Sequence, residues 1–142
     1  MNVFLWILQI VLALFNLAGG AYKVVSIDEW ASAGWYSAIP RGGWGAVGVF
    51  EVVCALLLVV PGAVKRLPFL TPLAAAALAI EGIAVSGLYA QSSLELTAAN
   101  PLVWSLVLAL LAAFVAYGRY TLRNVERATA ARDRAIREAA EQ

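Results

Sequence analysis

The chain has 142 residues, 63% of them hydrophobic and 13% charged, with a mean hydropathy of +0.81. Soluble domains carry about 25% charged residues, so this chain holds too little charge to wet a full surface; disorder, a coiled coil and an ordinary globular enzyme are excluded. The net charge is +1, no basic face alternates with stacking aromatics, and nucleic acid is excluded as a partner. There is no histidine and one cysteine, Cys54. That removes His-ligated haem, His-bound zinc or iron, nucleophiles that need a histidine, and an intrachain disulfide. The length allows one domain.

Charges and punctuation divide the sequence into four apolar stretches, at about 1–23, 43–61, 69–90 and 101–118. A helix rises 1.5 Å per residue, so about 20 residues cross the hydrocarbon layer, and each stretch reaches that length. Lipid offers the backbone no hydrogen bonds, so each must be helical. The first stretch lacks the basic n-region of a signal peptide and has too long an apolar part, which predicts a retained helix. Between the first and second, Ser26 and Glu29 stand at capping-box spacing, followed by Trp30, Trp35 and Tyr36. With Trp44 these predict a short helix in the headgroup layer, anchored by aromatic rings. Pro61-Gly62 marks the end of the second span, Pro68 and Pro72 the start of the third. Asn100-Pro101 reads as an N-cap followed by proline at the first helical position. From residue 119 onward the chain is rich in Ala and Arg, with Asp133/Arg137 and Arg134/Glu138 four apart, which predicts a helical tail. The fold class is therefore all-α: an integral membrane four-helix bundle with a short outer interfacial helix and a cytoplasmic helical tail over 119–142.

Orientation follows from the basic residues. With the N-terminus inside, Lys65, Arg66 and six tail arginines lie on the cytoplasmic side, against Lys23 and Arg41 outside. The positive-inside rule then puts both termini in the cytoplasm of a multi-pass protein of the cell membrane.

Polar residues within the spans carry the functional expectation. Gln9, Asn16 and Lys23 are seven apart, about two helical turns, and share one face with Gly19 and Gly20. Trp44, Gly48, Glu51 and Ala55 form a face of the second helix; Ala74, Ala77, Glu81, Ala84 and Leu88 form one of the third. The fourth offers Ser105, Ala109, Ala112 and Ala116. Small residues let helices approach closely, so these faces are expected to meet and enclose a polar spot. Counting turns puts Glu51, Glu81 and Asn16 near the bilayer midplane. A charge there costs about 2.5–3.5 kcal/mol, so at least one glutamate should be protonated or paired with Lys23. Glu51, Glu81, Lys23 and Asn16 are the candidates for binding a ligand or a proton; interhelical hydrogen bonding alone is the competing reading. No catalytic residue, metal site or cofactor is predicted.

The run Gly48-Val49-Phe50-Glu51 through Leu56-Leu57-Leu58-Val59-Val60-Pro61 resembles the second-helix signature of DoxX-like membrane proteins. Ala18-Gly19-Gly20-Ala21-Tyr22-Lys23 in the first helix and the alanine-rich run after Pro72 resemble theirs as well. The resemblance covers residues 1 to about 118 and implies a bacterial inner-membrane protein with four helices. Members of that family serve as subunits of thiosulfate:quinone oxidoreductase or associate with oxidoreductases of thiol and oxidative stress; eukaryotic proteins of similar architecture act as assembly chaperones. Two functions are carried forward. One is a non-catalytic accessory subunit or scaffold of a larger membrane complex such as an oxidoreductase, where a quinone enters only through the partner. The other is a small-molecule or proton-coupled carrier, which would need to form a homo-oligomer. The bilayer and another membrane or membrane-associated protein are the expected partners.

Overall fold

The computed structural model describes residues 2–32, 39–64, 67–91 and 93–140. Among the described residues five helices follow one another: α1 (Asn2–Val25), α2 (Ile27–Ser32), α3 (Arg41–Ala63), α4 (Leu70–Ala90) and α5 (Pro101–Ala140). Among the described residues there is no strand. Helices α1, α3, α4 and α5 are each long and apolar enough to cross a membrane. Trp35 and Tyr36 lie outside the described residues, as does the side chain of Trp30.

Local chemistry explains the helix ends. Asn100 caps α5 as its sequence position requires: its Oδ1 accepts the Leu102 N–H at 3.0 Å. Its side-chain amide also donates to the Glu95 carbonyl at 2.7 Å, fixing the preceding loop. Helix α3 does not stop at Pro61 but continues to Ala63. Proline has no N–H to give the carbonyl four residues back, here that of Leu57. Thr71 of α4 brings its hydroxyl to 3.5 Å from that oxygen and 3.4 Å from the Leu58 carbonyl. A polar neighbour that serves the freed backbone is what allows a proline inside a membrane helix.

The helices associate as two close pairs, α1 on α3 and α4 on α5, joined by α3–α4 and α1–α5 contacts. Glycine makes the first pairing close. A Cβ on Gly20 would stand 2.6 Å from the Gly48 carbonyl oxygen, and one on Gly48 would stand 2.6 Å from that of Gly20. In the second pair a Cβ on Gly82 would meet that of Ala109 at 2.9 Å. Close backbone approach drives helix association in lipid, where apolar side chains gain nothing by leaving the solvent. The apolar core between the pairs includes Leu12, Cys54, Leu58, Leu78, Ala112 and Val115.

The fourth helix and its tail are one element. Helix α5 runs without interruption from Pro101 to Ala140, and every described residue after Arg123 is exposed. At the Arg119 end, α1 and α5 meet through an edge-to-face contact of Phe4 and Phe114 with centroids 6.3 Å apart.

The Gly20–Gly48 crossing yields a direct test. Gly20→Ala must push α1 from α3, an overpacking cost of about 1–3 kcal/mol, and should lower the detergent melting temperature clearly. Gly19→Ala, whose Cβ meets nothing within 4 Å, should leave it unchanged or slightly raised.

Candidate ligand site

The register of each helix decides which polar side chains turn inward. Gln9, Asn16 and Lys23 are all buried, as their sevenfold spacing requires. Trp44, Gly48, Glu51 and Ala55 are likewise buried on one face of α3. The Lys23 ammonium donates to Glu51 Oε1, closing an ion pair between α1 and α3. The two side chains are only 9% and 8% exposed. This pairing offsets part of the penalty of placing either charge within the membrane.

Trp44 turns its indole into the bundle: it is 1% exposed and stacks on Tyr89 of α4, with centroids 6.3 Å apart. Positions 44 and 51 are seven apart, so the register that buries Glu51 buries the indole too. The inward face of α4 is also offset from the expected one. It comprises Thr71, Ala74, Ala75, Leu78, Gly82, Val85, Ser86 and Tyr89, while Ala84 is exposed and Glu81 half-buried. Gly82 is what α5 needs for close approach, and turning it toward Ala109 rotates Glu81 to the flank that borders α3.

Glu81 nevertheless reaches the same space as the ion pair. A cavity of about 310 Å³ is lined by Asn16, Lys23, Glu51 and Glu81, with Leu78, Val85, Leu108, Tyr89, Trp104 and Ser105 among its walls. Ala98, Ala99 and Pro101 border it as well, so it lies toward the Asn100 end of the bundle. Both Glu51 and Lys23 act electrostatically on Glu81. Two acids and one base thus share one apolar-walled chamber.

The sequence profile of the DoxX-like family matches residues 7–115. The chain belongs to the DoxX-like family. The matched span takes in most of α1, all of α3 and α4, and the first 15 residues of α5. No curated protein and no solved structure matches the chain significantly. Family membership and the four apolar helices together make it a multi-pass membrane protein.

A second polar cluster of this DoxX-like protein was not legible beforehand. Gln9 donates its amide to the Leu58 carbonyl and accepts from Arg119 Nε at 2.7 Å. The Arg119 guanidinium lies 5.0 Å from the centre of the Trp6 ring, within cation–π range. Arg119 therefore packs with the bundle, although the sequence gives it the look of the first residue of a solvated tail. Tyr89, Trp104 and Ser105 are further cavity residues that their polarity alone did not single out. The signal for Ser105 was its place in the small-residue stripe. For Trp104 it was the N-cap Asn100 four residues earlier, which fixes the register of the first turn.

The ion pair yields the second test. Lys23→Met leaves Glu51 buried without its cation and should destabilise the protein by about 3–5 kcal/mol. Lys23→Met/Glu51→Leu, which removes both charges, should recover most of that loss in the same detergent unfolding titration.

Proposed function

We propose that this DoxX-like protein is a non-catalytic accessory subunit of a larger membrane complex, such as an oxidoreductase, and that it holds a small molecule in its intramembrane cavity for that complex. The observation that carries the reading is the chamber of about 310 Å³ in which Lys23, Glu51, Glu81 and Asn16 converge. Its volume is at the lower end of the range of small-molecule sites, about 300–1,000 Å³. Ionisable groups inside a membrane are costly, and they mark places that serve a ligand, a proton or an ion. A quinone belongs to this reading only as a group brought by the partner.

Attachment to a partner is supported by α5. Its last turns, through Ala140, are exposed and carry Arg127, Arg132, Arg134 and Arg137 beside Glu126, Asp133 and Glu138. A charged helix projecting from the membrane is a natural docking element for a membrane-associated protein. The same arginines support a topology with both termini in the cytoplasm of a bacterial inner membrane.

One observation favours the carrier as a second reading. Glu81 lines both the central cavity and a groove of about 490 Å³ bordered by Phe50, Ile80 and Ala84 at the α3–α4 seam. A carboxyl between a polar chamber and a lateral groove is placed to pass a proton or ligand from one to the other; a homo-oligomer would supply the further helices that alternating access needs.

Gentle detergent extraction followed by mass spectrometry separates the two. The subunit reading predicts a larger complex that holds the full chain and loses a chain ending at Arg123. A full chain that emerges alone, and in liposomes supports pH-dependent uptake abolished by Glu81→Gln, contradicts it in favour of the carrier.

A further inference from the structure

We propose that the cavity takes a small lipophilic amine, whose ammonium is received by Glu51 and Glu81; this rests on the ligand-holding reading above and adds the chemical class. Four donor groups around the chamber already serve the protein. Asn16 Nδ2 donates to the Leu12 carbonyl at 2.8 Å, and Trp104 Nε1 to the Ala98 carbonyl at 2.8 Å. Ser105 Oγ donates to the Leu102 carbonyl at 3.0 Å, and the Lys23 ammonium serves Glu51 Oε1.

Glu51 Oε2 is buried and has no hydrogen-bond partner among the described residues, on a side chain only 8% exposed. Glu81 adds a second carboxyl to the same chamber. A buried acceptor without a donor keeps its full desolvation cost, and a buried charged oxygen more so. The site therefore fits a ligand that donates.

Charge narrows the class. One lysine faces two carboxyl groups, so an anionic ligand would bring further acceptors and like charge to a low-dielectric space. A neutral alcohol supplies a donor but leaves the charges unbalanced. An ammonium supplies both, and the rings of Tyr89 and Trp104 that line the cavity attract a cation as well. The remaining walls, Leu78, Val85 and Leu108, suit an apolar body. The chamber would hold about ten waters at about 30 Å³ each, but these three walls give water no partner.

Calorimetric titration of the full chain in phosphatidylcholine nanodiscs, with empty nanodiscs as the blank, tests this with three probes of similar size. 2-Phenylethylamine should saturate one site at least about tenfold more tightly than 2-phenylethanol, and 3-phenylpropionate should not bind. Glu81→Gln, at a half-buried position, should weaken the amine about tenfold and leave the alcohol unchanged. Alcohol binding as tight as the amine, or preferential binding of the carboxylate, overturns the amine assignment and leaves the ligand-holding reading standing. Amine binding that is unaffected by both Glu81→Gln and Glu51→Gln overturns the assigned site. If none of the three probes saturates, the amine and the ligand-holding reading both fall.

Discussion

A charge inside hydrocarbon has no water to fall back on, so its partner must be built into the protein. In this DoxX-like protein that partner is fixed by helix register: Lys23 near the end of α1 meets Glu51 near the middle of α3. The pair can form only if α1 and α3 lie close enough for the two side chains to meet, and Gly20 and Gly48 remove the side chains that would hold them apart. Backbone contact and charge pairing thus depend on each other. A larger residue at the crossing would separate the ions; an unpaired ion would favour separating the helices so that water could enter.

The rest of the bundle can be read as a set of answers to the same constraint. The carbonyl that Pro61 leaves without a backbone donor lies beside the Thr71 hydroxyl. The amide of Gln9 lies between the Leu58 carbonyl and Arg119. Ser86 and Ser105 share a hydrogen bond of 2.7 Å across the α4–α5 seam, near Gly82. Each arrangement satisfies a polar group that lipid would leave bare. Against that background Glu51 stands out, because its Oε2 is the one buried side-chain acceptor among the described residues without a hydrogen-bond partner.

Much of this was legible in the sequence. Span lengths follow from bilayer thickness, and Asn100-Pro101 marks the start of α5 because cap and proline chemistry are local. The inward faces of α1 and α3 could be read from sevenfold spacing, since Gln9, Asn16 and Lys23, and likewise Trp44 and Glu51, return to the same azimuth. What periodicity could not give was the choice between competing claims on one residue. Trp44 has the type of a headgroup anchor and the register of an interior residue, and its indole is buried in the bundle. On α4, alanines surround the whole helix, so its inward face was ambiguous by about one residue; the need of α5 for Gly82 settled it and moved Glu81 to the flank. The meeting of Gln9 with Arg119 joins residues 110 positions apart, a pairing that no local pattern announces.

The central claim, that α1 and α3 close an ion pair within the membrane, is open to a single spectroscopic measurement. Lysine labelled with ¹⁵N at Nζ and glutamate labelled with ¹³C at Cδ can be incorporated, and the chain placed in lipid bilayers for solid-state NMR. Only Lys23 and Lys65 contribute lysine signals. The account predicts a dipolar coupling that corresponds to salt-bridge separation, N···O within about 4 Å, and that disappears in Glu51→Gln. Absence of that coupling in the unsubstituted protein, or its persistence in Glu51→Gln, would contradict the account.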